Sequence, residues 1–245
     1  MSRLYYDLHL HSCLSPCGDN DSTPNDIAGM AKLLGLDIIA LTDHNSMKNC
    51  PAFFAACERY GIISIAGMEL TTAEDIHVVC LFPTLEDGMK FDKEIEKHRI
   101  LVKNRKDIFG EQRILNEKDE LTGEEDHLLT VATDISIEDA PGLVAAFGGV
   151  CYPAHIDREA NGMISILGTF PTSPSFSAYE LRDPVEKEEY EKRFSLSDKL
   201  CVVGSDAHCL ENMRERENYF ELCSLPEDTT QIAKRVIDLI RGGLK

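Results

Sequence analysis

Leu4-Tyr5-Tyr6-Asp7-Leu8-His9-Leu10-His11-Ser12 is the stretch on which the reading of the chain turns. Its apolar and aromatic run predicts a strand over residues 4–11. Side chains alternate along a strand, so His9 and His11 are expected on one face and Leu8 and Leu10 on the other. Two imidazoles on one face at a strand end can begin a metal site, or can be an ordinary polar terminus. These residues alone leave the two readings level, and the later strand ends decide between them.

Working outward, strand-like and helix-like segments alternate. A turn-rich loop over residues 12–23 leads to a helix over 24–34, with Thr23 as its cap, Pro24 in its first turn and Gly35 at its end. Residues 37–41 predict a strand that runs into Thr42-Asp43-His44-Asn45. A helix over 48–60 closes at Gly61, and strands follow at 62–66, before Gly67-Met68-Glu69, and at 76–82, which contains His77. Residues 85–109 read as a long charged helix, and 111–134 as an irregular excursion or small hairpin. The segment from 136 to 147 reads as a helix, 150–154 as a strand before His155, 176–181 as a strand, and 184–194 as a charged helix. The strand at 200–203 ends in Gly204-Ser205-Asp206-Ala207-His208, and a strand at 219–223 precedes an amphipathic helix over 227–241. Such βα alternation predicts a parallel sheet with helices outside, in which functional residues gather at strand ends.

Six of the eight histidines, namely His9, His11, His44, His77, His155 and His208, fall at those ends, together with Glu69 and Asp206. His98 and His127 lie in polar segments and read as solvated surface. Imidazoles mixed with carboxylates suit zinc, manganese or iron better than calcium or magnesium. There are too many ligands for one tetrahedral ion, so the pattern predicts two to three divalent cations with a carboxylate shared between two of them.

The bulk properties set limits. A chain of 245 residues with 43% apolar content predicts a single domain, 1–245, with a sizeable core. Against 43 acidic residues stand 25 basic ones, a net charge of −18, which disfavours long nucleic acid as a partner and favours a small phosphorylated substrate. No segment has the run of apolar residues that a membrane span needs, and Met1-Ser2-Arg3 enters the first motif without an apolar leader. Nine scattered cysteines read as free thiols, and the expected location is cytoplasmic. Neither a dinucleotide-binding glycine pattern nor a phosphate-binding Walker loop follows the first strand.

In order, Asp7-Leu8-His9-Leu10-His11-Ser12, Thr42-Asp43-His44-Asn45, Gly67-Met68-Glu69 with His77, Pro153-Ala154-His155 and Gly204-Ser205-Asp206-Ala207-His208 resemble the successive motifs of the PHP (polymerase and histidinol phosphatase) family. The resemblance implies an α/β fold, a distorted seven-stranded (β/α) barrel, and a metal-dependent phosphoesterase acting on a small phosphorylated metabolite or a nucleotide. A water bridging two cations would attack phosphorus in line. Carried over by position, one ion would be held by His9, His11, Glu69 and Asp206, and a second by Glu69, His77 and His155. A third would use His44, His208 and one residue of the following loop, either Cys17 or Asp19, with Asp19 preferred. Asp206, His208 and Asp43 are the expected catalytic groups, with Asp43 orienting an imidazole. Arg158 and Arg182 are the expected phosphate ligands. The alternatives are a non-catalytic metal-binding module, a 5′-end-directed exonuclease and a related amidohydrolase of C–N bonds.

Overall fold

The computed structural model describes residues 2–242 apart from 225 and 227. The chain begins with β1 (Ser2–Leu10), α1 (Pro24–Leu34), β2 (Ile38–Leu41), α2 (Cys50–Tyr60) and β3 (Ile63–Thr71). Next come β4 (His77–Phe82), α3 (Leu85–Ile95), α4 (Lys106–Phe109), β5 (Arg113–Leu115) and β6 (Leu121–Glu124). The remainder is α5 (Ala140–Ala146), β7 (Val150–Pro153), α6 (Met163–Leu167), β8 (Ala178–Leu181), α7 (Lys187–Phe194), β9 (Leu200–Val203), β10 (Tyr219–Leu222) and α8 (Thr229–Ile240). The predicted start of the last helix, Glu227, lies outside the described residues.

Six strands form one curled sheet in the order β10-β1-β2-β3-β4-β7, a half-barrel rather than the seven-stranded barrel expected. The parallel pairs are β1–β2, β2–β3 and β8–β9; β3–β4, β4–β7 and β1–β10 run antiparallel. The cause is visible between β3 and β4. Residues 72–76 make a tight turn in which the Thr72 amide donates to the Ile76 carbonyl at 2.9 Å. So short a link reverses the chain, whereas a parallel return needs a crossover of a dozen residues or more.

The β8–β9 pair lies at the open side of the sheet. On one flank the Ile156 amide donates to the Glu180 carbonyl at 2.9 Å. On the other, Leu10 forms a parallel bridge with Ala207, and the His11 amide donates to the Ala207 carbonyl at 2.9 Å.

Helix α1 starts where Thr23 accepts the Asp26 amide and stops at Gly35, whose φ of 73° only a residue free of a Cβ clash adopts easily. The long helix predicted over 85–109 ends at Ile95 instead. Beyond it the chain is extended enough for Arg99 to bridge Thr133 and Lys103 to bridge His127. Pairing with 127–133 replaces the helix through Ile100-Leu101-Val102, whose side chains remain exposed. β5 and β6 form an antiparallel hairpin within the excursion.

Two apolar layers separate the inside of the sheet from its outside. Leu4, Tyr6, Leu8, Ile63, Ile65, Val79, Leu81, Tyr152, Ala178 and Val202 fill the inner layer, sealed by Ile232, Val236, Ile237 and Ile240 of α8. The outer layer joins the other face of the strands to α1, α2, α3 and α5. Continuing the two-residue period from Ile63 and Ile65 carries the inner face to Glu69. The same period leads from Val79 back to His77 and from Ala178 to Glu180. Thus the apolar floor and the polar site occupy successive levels of the same interior.

Candidate metal centre

Glu69 sits at the middle of the centre, wholly buried. Five imidazoles approach its carboxylate: His44 and His77 at 2.9 Å, His155 at 3.0 Å, His9 at 3.2 Å and His11 at 3.4 Å. Asp206 adds a second carboxylate, 3.4 Å from His11 and 3.6 Å from His9 and His208. Among the described residues donor atoms converge in three groups, each within 4.8 Å: His9, His11, Glu69 and Asp206; His44, Glu69 and His77; and His11, His44 and His208.

The loops that carry these groups are built to fix their rings. The Glu180 carboxylate accepts from His9 Nδ1 at 2.8 Å and from the His155 amide at 3.1 Å, leaving His9 Nε2 turned inward. His11 Nδ1 meets Ser15 Oγ at 3.0 Å, and that hydroxyl donates to Asp43 at 2.7 Å. Asp43 also takes the Ser12 amide and hydroxyl at 2.8 and 2.7 Å. It therefore organises the loop over 12–15 and reaches the centre through His11, with Ser15 also accepting the His44 amide at 3.2 Å. His208 Nδ1 points to the Asp206 carbonyl at 2.8 Å. In each case the bond at Nδ1 leaves Nε2 with its lone pair, the tautomer that binds a cation. His155 and Asp206 adopt positive φ values of 27° and 54°, and Asn45, beside His44, adopts 45°. Strained backbone at three strand ends of one site fits selection for side-chain placement over local stability.

The electrostatics follow from this crowding. Burial would raise the Glu69 pKa, but His77, His9 and His44 outweigh it and hold the carboxyl well below its usual range. Asp206 is likewise raised by burial and pulled far down by its bond to His11 and the charge of His9. Burial lowers His9, yet Glu180, Glu69 and Asp206 lift it well above its ordinary value. Burial and the neighbouring His208 ring hold His11 well below. For His44, burial is overcome mainly by Glu69, which brings the ring up to about 10.

The donor set fits cations. Glu69 Oε2, Asp206 Oδ1, His44 Nδ1 and His77 Nδ1 are buried and crowd together, both rings 2.9 Å from the Glu69 carboxylate, but none is placed to make a hydrogen bond. Each such group costs about 1–3 kcal/mol in a dry interior. Cations shared among them would satisfy all four together.

Asp19 stands apart. It is exposed, and its Oδ1 accepts the Asp21 amide at 3.0 Å. Cys17, likewise exposed, lines a cleft with His44, His77 and His208; desolvation raises its thiol, but the nearby His208 and His44 rings bring it down to about 6. Arg158 bonds Asp206 at 3.0 Å, and Arg182 lines the same cleft. His98 pairs with Asp134 at 2.7 Å on the surface, and His127 is partly exposed beside Glu125, both away from the three groups. Two residues escaped the sequence reading. Glu180 could have been signalled by a lone acid within an apolar strand; Arg214, which donates to the carbonyls of Gly204 and Arg182 in the cleft wall, gave no signal.

A curled α/β sheet gathers six imidazoles and two carboxylates in one place, in groups that could hold divalent cations. The chain belongs to the PHP domain family, whose model matches residues 7–241. Members of this family are metal-dependent hydrolases and nucleases.

A 5′-3′ exoribonuclease of Haemophilus influenzae is 31% identical over 104 residues, 41% of this chain and 34% of that protein. Endonuclease Q of Pyrococcus furiosus, a lesion-specific endonuclease, superposes with a TM-score of 0.66 at 17% identity, over 98% of this chain and 56% of the other. A candidate metal-dependent phosphoesterase from Bifidobacterium adolescentis gives 0.58 at 18% identity, over 99% and 97%. This chain thus spans a third of the exoribonuclease and just over half of endonuclease Q.

The expectation that long nucleic acid is an unsuitable partner is corrected by a second endonuclease Q structure, a complex with a 27-mer duplex, at a TM-score of 0.64 and 16% identity over 98% of this chain and 57% of that one. The fold is compatible with such a partner. Net charge is an average over the whole surface and does not fix what one cleft binds; here Arg158, Arg182 and Arg214 stand among Asp157, Asp183, Glu186, Asp206 and Glu211.

Proposed function

We propose that the chain is a metal-dependent phosphoesterase acting on a phosphate carried by a nucleotide or by the end of a nucleic-acid strand. The observation that carries this reading is the 3.0 Å contact between Arg158 and Asp206. It joins a guanidinium suited to phosphate to a carboxylate of the candidate metal centre, in one continuous cleft. The inner part, about 400 Å³, is lined by His44, His77, His208, Asp206, Arg158 and Arg182. The outer part, about 920 Å³, widens past Arg158, Arg182 and Arg214. That is space for a substrate larger than phosphate alone.

His9, His11, Glu69 and Asp206 would hold one cation, and Glu69, His77 and His155 a second. Zinc, manganese or iron suits these donors. Bound there, such ions would supply Lewis-acid neutralisation and a water of lowered pKa. The protein's own part is positional. Glu180 fixes His9, the Ser15–Asp43 pair fixes His11, and Arg158 and Arg182 would grip phosphate oxygens as a planar fork. Charge that builds on those oxygens would then meet donors already in place. Asp206, held ionised, serves as a ligand and anchor for Arg158.

The test is a panel of p-nitrophenyl phosphate, nucleoside monophosphates and 5′-phosphorylated DNA and RNA oligonucleotides, assayed with added manganese, iron(II) or zinc. Turnover of at least one class, lost in Asp206→Asn, is expected. Full metal occupancy with no turnover of any phosphoester would refute the proposal.

A further inference from the structure

Arg158, Arg182 and Arg214 line the outer cleft, and they are held in different ways. Arg158 is paired with Asp206 at 3.0 Å and Arg214 with Glu217 at 3.7 Å. Arg182 is exposed and has no ion-pair partner among the described residues. Its backbone, by contrast, is gripped at both ends. The Arg182 amide donates to Asp157 Oδ1 at 3.1 Å and Oδ2 at 2.9 Å, and the Asp183 amide donates to the same Oδ2 at 2.9 Å. The Arg182 carbonyl accepts from the Arg214 guanidinium, which also donates to the Gly204 carbonyl at 3.3 Å.

We infer that Asp157 and Arg214 are positioning residues for Arg182, fixing its backbone so that its unpaired guanidinium meets a substrate phosphate beside Arg158. This deepens the phosphoesterase reading proposed above and rests on its placement of phosphate at Arg182. The ties join three loops. Asp157 follows β7, Arg182 and Asp183 follow β8, and Gly204 follows β9 and leads into Asp206. β8 and β9 lie outside the six-stranded ladder, so side chains must set how their loops meet the loop after β7. Asp157 directly precedes Arg158, so the carboxylate that holds Arg182 also spaces the two arginines. Its own loop is tightly folded: the Arg158 amide donates to the His155 carbonyl at 2.9 Å, and a Cβ on Gly162 would lie 2.1 Å from the Arg158 carbonyl oxygen. A guanidinium grips phosphate as a planar fork only when two N–H groups line up with two oxygens. On a slack loop the charge of Arg182 would remain, but that alignment would have to be ordered at each binding event, which costs affinity. The sign of the effect separates this role from plain electrostatics. Taking an acid out of a phosphate cleft should tighten phosphate binding through charge alone, whereas loss of the brace should weaken it.

The experiment titrates manganese-loaded protein with inorganic phosphate by calorimetry and measures KM and kcat on p-nitrophenyl phosphate alongside. Asp157→Ala, Arg182→Ala and the double variant form one cycle, and Arg214→Ala with Arg182→Ala a second, which also decides the matter if Asp157→Ala does not fold. Asp157→Ala and Arg214→Ala are each expected to weaken phosphate and raise KM about tenfold, with kcat changed less, and to add nothing once Arg182 is gone. Asp157→Asn keeps an oxygen for the amides of Arg182 and Asp183 and should recover most of the loss. Unchanged or tighter phosphate binding in Asp157→Ala, or a loss that is the same with and without Arg182 in either cycle, would overturn the inference and leave the phosphoesterase reading intact. The expected cycle in a protein that turns over no phosphoester would uphold the inference and refute that reading. Wild-type protein that neither binds phosphate nor turns over a phosphoester would overturn both.

Discussion

Replacing Glu180 by glutamine isolates the effect of one buried charge on the centre. The Glu180 side chain is inaccessible to solvent, 2.8 Å from His9 Nδ1, and 3.1 Å from the His155 amide. Glutamine keeps the shape and one acceptor but removes the charge. A hydrogen bond to a charged group contributes about 1.5–3 kcal/mol and a neutral one about 0.5–1.5 kcal/mol, so the loss is about 1–1.5 kcal/mol. At about 1.4 kcal/mol per decade, the cation held through His9 should bind about tenfold more weakly. Alanine removes both acceptors and strands two buried donors, so the loss should approach a hundredfold, the upper range for partners of ligating histidines. Competition against a chromophoric chelator measures both affinities, with amide exchange as a check on the fold. If Glu180→Gln bound metal within about twofold of wild type, Glu180 would not orient His9 and the account of this centre would be wrong.

Arg158→Ala and Arg182→Ala should each lower kcat/KM on a phosphomonoester by about 10–100-fold, the weight of one hydrogen bond to a charged group; unchanged steady-state kinetics would remove that arginine from phosphate binding. Gly204→Ala should destabilise the fold by about 1–3 kcal/mol through overpacking. Its new Cβ would fall 2.7 Å from both His9 Cβ and Glu180 Oε2. Thermal melting should show a drop of about 2–4 °C per kcal/mol, and a melt like wild type would disprove the contact. In metal-free protein His44 titrates at about 10 against 6.5 when exposed, so its proton stabilises the fold fully below pH 6.5 and that contribution fades as pH rises toward 10. Urea midpoints of chelated protein should therefore fall across that window, while cation affinity rises as the competing proton leaves. A midpoint independent of pH there would contradict the pairing of His44 with Glu69.

Much of the candidate centre was legible because its donor residues stand next to strand ends and glycine turns. The reasons were not always those read from the pattern. His9 and His11 do face one site, yet strict alternation does not put them there. The β1–β2 register shifts between Asp7 and Leu10, so Leu8 packs inside and Leu10 outside. Glu69 was read at a strand end but pairs with Val79 within a hairpin, because the turn after it is too short for a helical return. The break of the long helix at Ile95 depends on residues 127–133, more than thirty positions on, which no local propensity encodes. Glu180 meets His9 across 171 positions, and only the closed fold brings them together. Asp19 and Cys17 both came from counting along the loop, where spacing is uninformative about which side chain turns inward.

The sheet leaves β8 and β9 outside its continuous ladder, and what crosses to them includes the centre itself: Glu180 holds His9 from β1 and the amide that follows β7. The half-barrel and this strand pair are therefore fastened to each other in part by the same atoms that would handle substrate. Damage to the chemistry should loosen the architecture at that seam before anywhere else. Amide hydrogens of β8 and β9 would then act as a remote gauge of occupancy, exchanging faster when cations leave, while β2 and β3 stay quiet.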